Sequence, residues 1–160
     1  MTTKVQCPYI FGKASTHGPI TFYPIKSLEG QPIKFMIEQC RVCFVPSVFK
    51  GDGSESRLNL CLESGLGSIK IEQFESHLNG TICSAVKENY IKCKINLKTV
   101  SLYNINNNKI ENNEIDWMNL NCNCLIQVKG MWESKNQKGL QFECTALQVL
   151  PTVETPCPFA

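Results

Sequence analysis

Apolar and polar residues alternate most regularly in the last third of the chain. Between Cys122 and Pro151, Ile126, Val128, Gly130 and Trp132 share one parity, and Gln127, Lys129, Met131 and Glu133 share the other. Beyond a polar stretch from Ser134 to Gly139, Leu140, Phe142, Cys144 and Ala146 alternate with Gln141, Glu143 and Thr145. A period of two marks strands with one buried face, so the pattern predicts a hairpin with a basic tip carrying Lys135 and Lys138. The alternation slips at Ala146-Leu147, which predicts a β-bulge, a device that bends strands into small barrels.

The same reading places other elements. Over Tyr90 to Tyr103, Ile91, Cys93, Ile95 and Leu97 form an apolar face opposite Tyr90, Lys92, Lys94, Asn96 and Lys98, and a phase flip at Lys98-Thr99 predicts a second bulge. Ile33 to Val45 reads as a long strand, Leu58 to Leu62 as another, and Pro19 to Ile25 as an edge or extended segment. Ile71, Phe74, Leu78, Ile82 and Val86 recur at three or four residues and predict one helix after the Gly65 to Ser68 break, despite Gly80. Residues 1–16 show no period and read as an irregular arm. Residues 50–56 and the asparagine-rich 104–113 read as loops, the latter mobile, and residues 152–160 as an extended proline-rich tail. The expected organisation is one domain over residues 1–151 followed by that tail.

Composition narrows the function only partly. The 160 residues are 42% apolar and 19% charged with a net charge of +2, so any nucleic-acid-binding surface must be local rather than global. No apolar run suits a membrane span, and MTTKVQCPYIFGK lacks a signal-peptide core, so the expected setting is intracellular and reducing. Ten cysteines in such a compartment argue for free thiols rather than a disulfide framework. Cys40, Cys43, Cys122 and Cys124 offer a four-cysteine zinc alternative, but Cys40 and Cys43 lie three apart on a strand and need a turn to converge. Cys93 and Cys144 fall on apolar phases, where a thiol packs as a small hydrophobe.

No phosphate-cradling glycine loop, metal-binding histidine pair or nucleophile elbow is present, and neither His17 nor His77 sits in an activating motif. The expectation is therefore no catalysis and no cofactor. A single-strand groove needs lysines along a curved sheet and aromatics for base stacking. The Tyr90/Lys92/Lys94/Lys98 face, Lys34 with Arg41, and the Lys129/Lys135/Lys138 hairpin supply these, with Tyr103 and Trp132 as further aromatics. Trp132 shares the parity of Ile126 and Val128, so core packing and stacking remain equal alternatives for it.

Three stretches, PIKFMIEQCRVCFVP, SRLNLCLES and CLIQVKGMWESKNQKGLQFECTALQVLP, resemble the single-stranded DNA-binding proteins of large DNA viruses, of poxvirus and iridovirus type, and their phage relatives. The resemblance spans residues 32–151. It implies a mainly β, OB-fold-like five-stranded Greek-key barrel with one helix and an additional N-terminal strand or arm. It also implies a protein that coats single-stranded DNA during replication, recombination and repair, in the host cytoplasm, a viral replication site or the nucleus. By position it places the groove on Lys34, Arg41, Lys92, Lys94, Lys98 and the Lys129 to Lys138 hairpin. DNA against RNA stays open, as do replication proteins and further copies of the chain as partners. The tail TVETPCPFA departs from the family's acidic tail, since it holds one glutamate. Two other readings compete: a β-barrel protein-interaction module, and a small cysteine-dependent enzyme marked by one unusually reactive thiol.

Overall fold

The computed structural model describes residues 7–43, 47–48, 57–118 and 120–151. The chain is mainly β with one α-helix among the described residues. Its elements are β1 (Tyr9–Phe11), β2 (Ser15–His17), β3 (Ile20–Ser27), β4 (Lys34–Val42), β5 (Ser47–Val48), β6 (Arg57–Glu63), α1 (Gly65–Glu75), β7 (Val86–Lys87), β8 (Tyr90–Asn96), β9 (Ser101–Tyr103), β10 (Asn121–Glu133) and β11 (Lys138–Val149). A single 3-10 turn, Asn112–Glu114, precedes β10.

Five of these strands pair in a closed circuit. β10 pairs with β4, β4 with β6, β6 with β8, β8 with β11, and β11 with β10. Every pairing is antiparallel except β8 with β11, which is parallel. The alternation read from the sequence sets which face is inside. Ile91 and Ile95 of β8, Leu60 and Leu62 of β6, Ile126 and Val128 of β10 and Phe142 of β11 are almost wholly buried. Each such side chain contributes about 1.5–3 kcal/mol by leaving water. β3 adds to the circuit by pairing with β10 over Thr21 to Pro24. This crossing depends on Gly130: a Cβ there would lie 2.4 Å from Phe22 Cζ and 2.5 Å from the Tyr23 carbonyl oxygen.

The hairpin of β10 and β11 forms as the alternation predicts, and its register slips twice. One slip leaves Thr145 without a partner, between Leu125↔Ala146 and Ile126↔Cys144, close to the predicted bulge. The other falls at Lys129, and the alternation had given no warning of it: Gly130 and Met131 are both buried and Trp132 turns half outward.

Elsewhere the elements differ from the sequence expectation. The helix runs Gly65–Glu75 rather than on through Val86. Ser64 caps it by accepting a hydrogen bond from Gly67 N at 2.9 Å, so the glycine-rich stretch is the first turn and not a break. The chain leaves the helix at Ser76 and passes Gly80 at φ +95°, a conformation suited to glycine. Leu78, Ile82 and Val86 then follow in non-helical backbone. The break after Asn96 is larger than a bulge: a turn over residues 97–100 separates β8 from β9, and both run parallel to β11. The arm is not irregular where described, since β1 and β2 both pair with β3. The asparagine-rich segment is closed by Asn104 Oδ1, which accepts from the N–H groups of Asn106 and Asn108, each at 3.0 Å. The loop at 50–56 and the tail at 152–160 lie outside the described residues.

Candidate nucleic-acid interface

β6 and β8 lie side by side with Cys61 opposite Lys92 and Asn59 opposite Lys94. Their inward residues are the core, so the pleat turns Asn59, Cys61, Lys92 and Lys94 to the other face. Three cavities adjoin along that face. The central one, 570 Å³, is lined by Asn59, Cys61, Cys83, Ser84, Lys92, Lys94, Trp132 and Gln141 among others. A second, 620 Å³, shares Cys61, Ser84, Ala85 and Lys92 with it and extends to Arg41, Lys87 and Tyr90. A third, 810 Å³, shares Lys94, Trp132 and Gln141 and extends to Lys129, Glu143, His17 and Phe22. Shared walls make the three a single groove across β6, β8 and the β10–β11 hairpin.

Trp132 stands where the central and third cavities meet. The slip at Lys129 brings it out of the core, and Gly139, opposite it in the hairpin, leaves room for the indole: an added Cβ would lie 2.9 Å from the ring. One wall of the groove is the segment after the helix. The buried carboxylate of Glu75 accepts from Ser84 Oγ at 2.6 Å and from Ala85 N at 2.8 Å. Cys83 N donates to Lys138 O at 2.8 Å, and Lys138 N donates to Thr81 O at 3.0 Å. The wall is thereby pinned to both the helix and the hairpin.

The groove's charge is mixed. Arg41 Nη2 lies 2.9 Å from Glu63 Oε2, and this pairing holds the guanidinium more firmly protonated than usual. Glu63 also lies against Tyr90, and its negative charge raises the phenol above its ordinary value. Lys94 Nζ donates to Asn59 Oδ1 at 2.6 Å, and Lys129 lies 3.8 Å from Glu143. A polyanion in the groove must therefore meet Glu143 in its lining and Glu63 beside Arg41 and Tyr90.

Of the residues expected to form an interface, Arg41, Tyr90, Lys92, Lys94, Lys129 and Trp132 line this groove. Lys34, Lys98, Tyr103, Lys135 and Lys138 do not line these three cavities. Lys34 opens β4 opposite Gln127, and Lys98 sits on the turn next to Thr99, itself on the groove's rim. Tyr103 ends β9 beside Gln148, Lys135 is exposed at the hairpin tip, and Lys138 faces Glu133 at 3.5 Å. The sequence reading missed His17, Phe22, Lys87 and Gln141. Lys87 was hidden by the over-extended helix, whereas Asn59 and Cys61 were legible as the outward positions of an alternating strand.

The four-cysteine alternative does not assemble, in line with Cys40 and Cys43 lying three apart on the expected strand. Cys43 pairs with Cys61 at the groove, where burial pushes its thiol up to about 11. Cys40, Cys122 and Cys124 instead meet in the core, with sulfurs 3.6–3.8 Å apart. Among the described residues this is the one group of three or more His, Cys, Asp or Glu side chains close enough to share an ion. No helix among the described residues is long and apolar enough to cross a membrane. Compared with known proteins, the chain matches no family model, no curated sequence and no solved structure, so its chemistry has to be read from its own residues.

Proposed function

We propose that the chain is a sequence-tolerant single-stranded DNA-binding protein built on an OB-fold-like barrel. The observation that carries this reading is the continuous groove on β6 and β8, with Lys92 and Lys94 on its floor, Trp132 in its wall and Tyr90 at one end. Phosphates need spaced cations and unstacked bases need aromatic faces, and both lie along one path.

The fold reading is supported by the circuit of β4, β6, β8, β10 and β11. In OB-folds the face of the second and third strands and the loops joining strands 1–2 and 4–5 bind oligonucleotides. In chain order the second and third strands of this circuit are β6 and β8, and the 4–5 connection is the Ser134 to Gln137 tip with Lys135. On this reading the protein coats exposed DNA in viral replication, recombination and repair and has no catalytic role. Replication proteins and further copies of itself are its partners, in a reducing compartment.

The test is a fluorescence titration with long oligo-dT at low and high salt, with duplex of equal length as control. Quenching by the single strand that weakens with salt and is absent with duplex supports the reading. No response to either nucleic acid at low salt overturns it. A protein-interaction module is the second reading, favoured by exposed Met36, Leu66 and Ile69 where β4 meets the start of α1. It predicts salt-insensitive binding unaffected by changes at Lys92.

A further inference from the structure

The cysteines of the core are not placed as isolated hydrophobes. Cys40 Sγ lies 3.8 Å from Cys122 Sγ and 3.6 Å from Cys124 Sγ, and the latter two are 3.6 Å apart. All three residues are fully buried. Two packed thiols touch at a similar distance, so one such pair would carry no meaning. Three mutual contacts form a nearly equilateral triangle. A zinc–sulfur bond of about 2.3 Å requires a tetrahedral edge of about 3.8 Å, which the triangle matches without moving the backbone.

A second feature points the same way. Ile37 and Cys40 are three apart on β4, yet both face the core. The alternation is broken at Gln39, which has a left-handed backbone at φ +52°, unusual for a side-chain-bearing residue. The pairing with β10 slips at the same place, from Cys122↔Cys40 to Cys124↔Ile37. Asn123, between the two β10 cysteines, accepts from Gln39 N at 2.9 Å and donates through its amide to Gln148 Oε1 at 3.0 Å. The bulge thus turns Cys40 inward onto the sulfurs on either side of the residue that holds it. Local strain at a bulge that re-aims a side chain is a mark of a built site.

The geometry points to a structural site for a thiophilic divalent cation, zinc by its chemistry, held by Cys40, Cys122 and Cys124. Cys144 is buried nearby but lies outside the triangle and donates its thiol to Ala146 O at 3.3 Å, so it completes a tetrahedron only by turning away from that carbonyl. No imidazole or carboxylate joins the cluster, so the donor set is all sulfur, which selects zinc or cuprous ions. In an apolar core a divalent ion offsets more thiolate charge than a monovalent one, which favours zinc. Each coordinating thiol loses its proton to solvent, so loading is pH-dependent and accompanies folding.

The test uses the full chain, without nucleic acid, refolded under reducing, metal-free conditions with cobalt(II) as spectroscopic probe and zinc as competitor. The expected result is one cobalt per chain, a thiolate-to-cobalt charge-transfer band with tetrahedral visible bands, and displacement by zinc. Cys40→Ala should remove the bands, and Cys61→Ala should leave them. Wild-type protein without these bands overturns the proposal, as do bands kept by Cys40→Ala and lost in Cys61→Ala. Should Cys40→Ala fail to fold, alkylation of wild-type protein in mild denaturant decides. Zinc must then shield Cys40, Cys122 and Cys124, and shielding of Cys43 and Cys61 instead refutes the site.

Discussion

If the groove takes a single strand as proposed, the lysines at its centre should set a measurable salt dependence. Five cations line the three cavities: Arg41, Lys87, Lys92, Lys94 and Lys129. Arg41 and Lys129 already face Glu63 and Glu143, so their yield per phosphate is reduced. For a single strand each neutralised phosphate adds about −0.7 to the slope of log K against log salt, so three to five contacts give about −2 to −3.5. From about 50 to 200 mM salt the affinity should fall about 20- to 120-fold. Lys92→Ala with Lys94→Ala removes two contacts and should flatten the slope by about 1.4, while the low-salt affinity drops for every base sequence alike. Fluorescence titrations of oligo-dT at four or more salt concentrations give both slopes directly. Lys92 is exposed and Lys94 only half-buried, so the double variant should melt close to wild type, and circular dichroism checks this. If the folded double variant keeps the wild-type slope, the phosphates do not run along β8 and the groove assignment is wrong.

Other consequences follow from the same geometry. Trp132→Ala should abolish fluorescence quenching by oligo-dT and weaken binding by about 1–3 kcal/mol, the worth of one stacked base, while Trp132→Phe should keep most of the affinity. Trp117 supplies an unquenched background, since it is buried and donates to Asn112 Oδ1 at 2.9 Å. Glu143→Gln should raise low-salt affinity and steepen the slope by up to about 0.7, because Lys129 no longer faces a carboxylate; a weaker complex would place the strand elsewhere. Glu75→Ala leaves Ser84 and Ala85 without their acceptor and should cost about 2–4 kcal/mol in denaturant unfolding, with faster amide exchange over residues 81–85. Burial raises the Tyr9 phenol well above its ordinary value, and its hydroxyl donates to Phe74 O at 2.9 Å. The fold therefore favours the neutral ring. That stabilisation is present in full below the unfolded value of about 10 and is lost as pH rises through the folded value, so the stability gap between wild type and Tyr9→Phe should narrow above about pH 10.

How much of this was legible in the sequence depended on the range of the interaction that decides each feature. Strand faces are decided by neighbours two residues apart, so the β8 and β10–β11 alternations named their buried sides correctly as far as Val128 and Cys144. Breaks in phase were visible too, but their kind was not. The same signal stood for one unpaired residue at Thr145 and for a four-residue turn after Asn96. The helix was drawn too long because Leu78, Ile82 and Val86 keep a helical spacing by coincidence. The stronger local signals were the cap at Ser64 and the stop before Gly80.

What the sequence hid was decided at long range. Cys40 turns inward because Asn123, far along the chain, fixes the backbone at Gln39. Trp132 turns outward because Gly130 and Met131 take two consecutive inward positions where β3 crosses. In both cases a slip of one residue reverses every side chain beyond it, and in both the reversed residue becomes the chemically useful one. The outward slip supplies the groove's indole and the inward slip completes the sulfur triangle, on opposite faces of β10. The strand that supplies an aromatic wall to the groove thus also supplies two sulfurs to the core.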